Sequence, residues 1–174
     1  MSTVQQINFE PFSDILATQR RDFALNDKTL ANPLNAVALV DGEFMVLNSS
    51  YKLVRATTIG SVGNLATQTG YVLFAERGRY DIRAMADVKM PVVWLGDYEA
   101  DTRIFDATVA LGSGAAITFA GQPLKVATIT IGTRNYSGLV GHGGAADTDP
   151  VVGRVTRLPA SNGGKLRFVK ASNI

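Results

Sequence analysis

Short apolar segments separated by glycine turns dominate the second half of the chain. In residues 104–111 every second side chain is apolar (Phe105, Ala107, Val109 and Leu111), which is the period of a half-buried β-strand. Further strands are predicted at 117–119, 124–131, 151–157 and 165–170, with turns at 112–114 and 120–123. Closely spaced strands of this kind predict an all-β fold, either a small β-barrel or a sandwich.

In the first half of the chain, regular β-structure is expected to begin at Ala36. Two apolar segments, 36–40 and 43–47, flank Asp41-Gly42. This dipeptide supplies the positive φ values of a two-residue type I′ turn, so the pattern predicts a β-hairpin. Later strands are predicted over 51–57, 71–75 and 90–95. Residues 76–91 fit a helical face and a charged loop equally well.

The strand at 124–131 has an irregular pattern. Leu124 and Val126 share one face, whereas Ile129 and Ile131 fall on the other. Either the strand is covered on both faces, or a bulge near 127–128 resets its register. Both alternatives fit a closed or strongly coiled small barrel better than a flat sheet.

Residues 1–35 differ from the rest and are interpreted as an irregular N-terminal arm, followed by a β domain at 36–174. A short helix over 14–23, capped by Ser13, is expected within the arm. The arm also carries apolar side chains that a free tail would expose, so we expect them to contact the body or a neighbouring subunit. These candidate contact residues are Ile7, Phe9, Phe12, Ile15 and Leu16. A loosely packed terminus is the alternative.

Composition narrows the possible functions. Charged residues make up 18% of the 174 residues, and there are 17 glycines, which fits both a protein that hides surface in an assembly and an ordinary small barrel. The net charge is +2 and the basic residues are scattered, which argues against direct nucleic-acid binding. Apolar runs are too short for a membrane helix, and residues 1–6 lack the pattern of a secretory signal. The absence of cysteine suits a reducing cytoplasm.

Candidate catalytic chemistry is sparse. His142 is the only histidine, and Asp147 and Asp149 follow it closely. A Ser-His-Asp set also needs an activated serine, and neither Ser113 nor Ser137 lies in a nucleophile-elbow pattern. We therefore predict that His142 is an exposed loop residue, that there are no catalytic residues and that the protein is not an enzyme.

Metal and cofactor motifs are equally weak. Asp97, Glu99 and Asp101 alternate as calcium ligands do, but an EF-hand loop needs glycine and glutamate where this chain has Thr102 and Thr108. A solvated acidic turn is the favoured interpretation, with ion binding left open. The glycine-rich segments 112–114 and 141–144 are not followed by Lys-Ser/Thr, so they are interpreted as strand connections. No cofactor and no metal are predicted.

The closing pattern of the chain resembles that of a known family. Residues 150–157 read Pro-Val-Val-Gly-Arg-Val-Thr-Arg, and residues 162–168 read Asn-Gly-Gly-Lys-Leu-Arg-Phe. Together with the irregular arm and the cysteine-free β domain, this Val-Gly-x-Val strand, glycine turn and final strand resemble the decoration (cement) proteins of tailed-bacteriophage capsids. The pattern covers mainly 105–170, and residues 36–100 match no motif of the family.

The resemblance implies a non-enzymatic virion structural protein on the outer capsid surface. Its implied partner is the major capsid protein, it is expected to be a homo-oligomer (a dimer or trimer), and it would assemble in the host cytoplasm. Two alternatives remain open. One is a phage tail or baseplate protein, and the other is a small-ligand or carbohydrate-binding β-barrel, which would need a pocket with convergent polar groups.

Overall fold

The structure is a computed structural model that describes residues 9–11, 20–31, 39–40, 42–56, 71–73, 89–93, 97–109, 114–161 and 164–170. These residues form β-strands in two sheets, with a 3₁₀ turn at Lys28–Ala31 as their helical element. The predicted all-β class is therefore confirmed. Within the described ranges, no helix is long and apolar enough to cross a membrane.

Twelve strands are assigned in these ranges. In chain order they are β1 Phe9–Pro11, β2 Arg20–Ala24, β3 Phe44–Leu47, β4 Leu53–Arg55, β5 Tyr71–Leu73, β6 Lys89–Val93, β7 Tyr98–Thr102, β8 Phe105–Asp106, β9 Pro123–Ile131, β10 Arg134–Gly141, β11 Gly153–Arg157 and β12 Leu166–Lys170. The larger sheet has the order β1-β7-β12-β11-β9-β10-β8, and the smaller has the order β2-β6-β5-β3-β4. Among the described strands, neither sheet forms a closed barrel.

The longest pairing in the larger sheet joins β9 and β10. Their register runs without interruption from Leu124 opposite Gly141 to Ile131 opposite Arg134. The connecting turn at 132–133 is exposed, and Gly132 has a φ of 67°. Because the register is continuous, the bulge alternative for this strand is wrong.

Strand β9 is instead covered on both faces. Leu124 and Val126 lie in the main core, whereas Ala127 and Ile129 belong to a separate cluster on the other face. Such double coverage is typical of a strand inside a layered fold rather than one with a solvated face.

The main core is shared by the two sheets. Phe44 of β3 and Val93 of β6 come from the smaller sheet, and Val126 of β9 and Phe168 of β12 come from the larger one. The rings of Phe44 and Phe168 lie 6.3 Å apart between centroids. Burying a side chain of this size contributes on the order of 1.5–3 kcal/mol, so this shared core holds the sheets together.

The smaller sheet is strongly curled. A parallel bridge pairs Leu25, which follows β2, with Leu53 of β4, and the N–H of Asn26 donates to the Leu53 carbonyl at 3.0 Å. β2 and β4 are the opposite edges of this sheet, so the sheet curls until the residue after β2 contacts β4, through one isolated bridge and without a ladder that would close it. A second core cluster lies here, formed by Leu25, Leu39, Met45, Leu47, Leu53 and Val92.

The predicted hairpin around Asp41-Gly42 does not form. β3 pairs with β4 on one side and with β5 on the other, so both of its edges are taken. Leu39 donates its N–H to the Leu30 carbonyl instead. Val40 and Glu43 do close a turn, with 3.3 Å between the Glu43 nitrogen and the Val40 oxygen, and Gly42 has the expected positive φ, 86°. Residues 36–38 lie outside the described ranges.

The predicted alternating strand at 104–111 is cut short. β8 has two residues, because Asp106 Oδ1 accepts hydrogen bonds from the N–H and hydroxyl of Thr108 and so turns the chain. Val109 then has a φ of 66° and is 40% exposed. The predicted strand at 117–119 is also wrong, since Phe119 lies in an exposed turn, but the turn at 120–123 is confirmed with Gly121 at a φ of 89°.

The remaining predicted strands appear with shifted or shortened bounds, as β4, β5, β6, β9, β11 and β12. Pro91 lies inside β6, opposite Asp22 of β2. The helix expected over 14–23 is wrong at its end, because β2 begins at Arg20. The expectation that regular β-structure begins at Ala36 is also wrong, since β1 and β2 lie within 1–35 and pair with β7 and β6. Residues 12–19, 74–88 and 110–113 lie outside the described ranges.

Candidate functional site

A cluster of charged side chains fixes the loop that follows β10. Lys125 projects from β9, and its Nζ lies 2.8 Å from Asp147 Oδ2 and 2.9 Å from Asp149 Oδ2. His142 begins the loop and donates its backbone N–H to the Pro123 carbonyl at 2.9 Å. We call Lys125, His142, Asp147 and Asp149 the loop cluster.

His142 is not the exposed residue that the sequence predicted, since its side chain is only 9% exposed. Its Nε2 lies 2.9 Å from the Asp149 carbonyl oxygen, and its Nδ1 lies 3.1 Å from the Gly144 nitrogen. A carbonyl only accepts and a backbone N–H only donates, so Nε2 is placed as the donor and Nδ1 as the acceptor. The imidazole thus joins two points of the loop.

Asp147 is the centre of the loop cluster. Its Oδ2 accepts the Gly143 N–H at 2.8 Å, and its Oδ1 accepts the Asp149 N–H at 3.2 Å. Burial raises the pKa of Asp147. The bonds from Lys125 and from these two N–H groups lower it by more, so that the pKa falls to about 2. Burial lowers the pKa of Lys125, yet its two carboxylate partners leave that pKa raised. Both groups are therefore charged at neutral pH.

This arrangement is suited to holding a loop. Each nitrogen of His142 is bonded to the backbone, and the Lys125 ammonium is shared between two carboxylates. Ser137 is not brought to the histidine, because its hydroxyl donates to the Ala56 carbonyl. Ser113 lies outside the described residues.

A second charged cluster, which sequence reasoning missed, lies between the sheets. Glu43 is fully buried, and the Arg55 side chain forms two bonds to it, at 2.6 Å from Nε to Oε2 and 3.0 Å from Nη2 to Oε1. The N–H of Val40 and that of Ser137 in β10 donate to the same carboxylate, at 2.9 and 3.2 Å. We call Glu43, Arg55 and Ser137 the inter-sheet cluster.

The acidic residues around β7 do not form the predicted solvated turn. They lie in or beside a strand, whose period places Asp97, Glu99 and Asp101 on one face. Asp101 is almost fully buried and accepts a bond from Arg167 Nε at 2.9 Å, while Glu99 accepts one from the Thr156 hydroxyl at 2.7 Å. No group of three or more potential metal ligands is found in the part of the chain that the structure describes.

The last strand places a lysine in the core. Leu166, Phe168 and Lys170 alternate on the inner face of β12, so Lys170 is fully buried. Its ammonium lies 5.7 Å from the centroid of the Tyr98 ring. Burial lowers the pKa of Lys170, partly offset by the charge of Asp97, and burial raises the pKa of Tyr98 well above its ordinary value. The alternation alone was sufficient to predict this burial.

The candidate contact residues of the arm are only partly covered by the structure. Phe9 lies in β1, where its backbone is opposite Thr102 of β7. Ile7, Phe12, Ile15 and Leu16 lie outside the described residues. Their contact with a partner therefore stays a prediction.

Comparison with known proteins identifies no relative. No protein-family model matches the chain, no curated protein matches it, and no solved structure matches it. The functional proposal therefore depends on the residues and contacts of this chain.

Proposed function

We propose that this chain is a non-enzymatic structural protein of a tailed-phage virion that decorates the outer capsid surface. The observation that carries the proposal is the C-terminal pair of strands, since its sequence pattern is the one that resembles capsid decoration proteins. β11 and β12 pair antiparallel, from Gly153 opposite Lys170 to Arg157 opposite Arg167. They occupy the middle of the larger sheet, between β9 and β7.

The charged clusters give independent support for a structural role. The inter-sheet cluster joins strands of different sheets, and the loop cluster fixes a long connection to the end of a hairpin. Charges that bind one another in this way make a rigid body. A decoration protein needs such a body, because it acts by binding and not by chemistry.

The proposed mechanism is stabilisation by mass action. Copies bind across junctions between major capsid subunits in the expanded shell, and any ligand that binds one state stabilises that state. At a free concentration of 100 times Kd the gain is about 2.7 kcal/mol per site. Repetition over symmetric positions makes the effect collective.

Several finer points belong to the same proposal. The protein acts as a dimer or trimer, assembles in the host cytoplasm, and uses the N-terminal segment 1–35, which β1 and β2 anchor to the two sheets, to reach a neighbouring subunit. Its fold is a small sandwich in which the smaller sheet is curled enough to be barrel-like. It binds no nucleic acid, membrane or cofactor directly.

The test is occupancy on virions. Immunogold labelling of intact particles should place the protein on heads, and purified heads that lack it should regain it on mixing and dissociate at a higher temperature in scanning calorimetry. Label on tails would favour the tail or baseplate alternative. Absence from virions, together with specific binding to a glycan array, would favour the carbohydrate-binding alternative.

A further inference from the structure

The loop between β3 and β4 presents a tyrosine at an unusual backbone position. The N–H of Asn48 donates to the Lys52 carbonyl, and the N–H of Tyr51 donates to the Asn48 carbonyl, both at 2.9 Å. Tyr51 has a φ of 57°. These features are those of a three-residue hairpin loop with a bulge, whose left-handed position ordinarily holds glycine.

Tyrosine at this position costs conformational free energy, because its Cβ crowds the backbone when φ is positive. Nothing in the core compensates for this cost, since the side chain is 74% exposed, more than any other large apolar or aromatic side chain in the described residues. Strain of this kind at an exposed residue points to a function for the side chain.

The loop is braced so that the tyrosine is held in place. Asn48 Oδ1 accepts the N–H groups of Ser50 and Lys52, both at 3.0 Å. Asn48 Nδ2 donates to Asn26 Oδ1 at 3.0 Å, which ties the loop to the segment after β2. A preorganised loop loses little entropy when it binds.

We propose that Tyr51 is an anchor of the surface through which this protein binds the capsid. This inference rests on the proposed function and deepens it by naming the contact residue. Tyrosine is enriched at the centres of protein interfaces, and small polar side chains such as those of Ser49 and Ser50 commonly surround it there. Both serines are exposed.

The same geometry favours a protein partner over a sugar. Carbohydrate recognition combines an aromatic ring with polar groups that converge on the ligand. Asn48 supplies a side-chain amide in the same loop, and its oxygen and nitrogen are already bonded within the protein. The partner is therefore expected to offer an apolar pocket for the ring, with polar groups around it.

The test separates strain from binding with two matched substitutions. Asparagine tolerates positive φ, so Tyr51→Asn should raise the Tm while weakening binding to purified heads at least about 10-fold. Val109, at a φ of 66° and 40% exposed, is the control. Val109→Asn should raise the Tm and leave head binding unchanged. Tyr51→Phe should keep binding within about 3-fold, because the ring is retained.

Each result bears on the inference. A Tyr51→Asn protein that is folded by circular dichroism and binds heads as tightly as wild type would overturn it while leaving the proposed function intact. A Tm that falls in Tyr51→Asn would overturn the strain argument. Failure of the wild-type protein to bind heads would overturn both proposals. Glycan-array binding that is lost in Tyr51→Asn would replace the protein partner with a sugar.

Discussion

The inter-sheet cluster and the loop cluster differ in the burial of their charged side chains and in the sequence separation of the residues that they join. Glu43 of the first is fully buried and bonds to Ser137, which lies 94 residues away in the other sheet. Lys125 of the second has a side chain that is 11% exposed, and it bonds to Asp149, 24 residues further along the chain. The first cluster therefore couples two sheets, whereas the second shapes one loop.

The difference predicts how each cluster fails. Removing the fully buried Glu43 carboxylate leaves the largely buried Arg55 guanidinium and two backbone N–H groups, one of them in the other sheet, without their acceptor, and the cost falls on the whole fold. Removing Asp147 leaves Lys125 bound to Asp149, which lies in the same loop, so the cost falls on the local segment. Global and local measurements should thus separate the two clusters.

Glu43→Ala should give the largest effect. It leaves Arg55 and two backbone N–H groups without their acceptor, and we expect a loss of about 3–5 kcal/mol in the free energy of unfolding, measured by urea denaturation. The double variant Glu43→Met with Arg55→Met should recover much of this loss, because the buried charges are then both absent. A single-variant loss below about 1 kcal/mol would contradict the coupling of the sheets.

Gly42→Val tests how Glu43 is positioned. Gly42 precedes the glutamate at a φ of 86°, which a β-branched residue resists. The strain should cost on the order of 1–3 kcal/mol in thermal or urea unfolding. Gly42→Asn, which tolerates positive φ better, is the matched control and should cost less. Equal effects of the two substitutions would mean that backbone strain is not the cause.

Asp147→Ala should act mainly on the loop. It removes one of the two carboxylates that bind Lys125 and the acceptor of two backbone N–H groups, and we expect a loss of about 1–2 kcal/mol together with faster hydrogen exchange in 142–150. Asp27→Asn is the control. The Asp27 carboxylate is exposed and accepts hydrogen bonds from Thr29, two residues away, so this substitution should change the loop and the stability little. Faster exchange spread over both sheets would contradict a local role.

The same carboxylate predicts a dependence on acid. The pKa of Asp147 is lowered to about 2 from its ordinary value of 3.8. A lowered pKa contributes stability that is complete above about pH 4 and is lost as the pH falls through 2. Hydrogen exchange of the loop, corrected for intrinsic rates, should therefore speed up over that interval in the wild type. Asp147→Asn should show a smaller change over the same interval.

His142→Ala should give the smallest effect. The two ring bonds to Gly144 and Asp149 are lost, which should cost about 1 kcal/mol and loosen the loop without altering the rest of the fold. His142→Gln, which carries both a donor and an acceptor, should recover part of the loss. If hydrogen exchange of the loop is the same in His142→Ala as in the wild type, the ring does not hold the loop, and the sequence-based interpretation of an exposed histidine would be correct.

Local patterns predicted the fold where the strand period was clear. β11 and β12 show simple alternation, and β9 showed two apolar faces that correspond to two real core clusters. Prediction failed where a side chain interrupted the period. Asp106 ended β8 by bonding to Thr108, which apolar spacing alone does not reveal.

The charged clusters were beyond sequence reasoning because they depend on long-range pairing. Nothing local to Glu43 indicates that it meets a strand 94 residues away. His142 looked exposed because glycines surround it, yet those glycines allow the loop to fold back over the ring. Tyr51 was assigned to a strand, although the polar tetrad 48–51 contained a turn signal in Asn48 and the two serines.

The β9–β10 hairpin has a consequence for engineering. Its turn at 132–133 is exposed, and a Cβ built on Gly132 meets nothing within 4 Å. The eight paired positions beneath it hold the two strands together regardless of what the turn carries. An inserted peptide or a fused domain at this turn should thus be accommodated outside the core, so the turn is a suitable site for displaying a foreign peptide or domain.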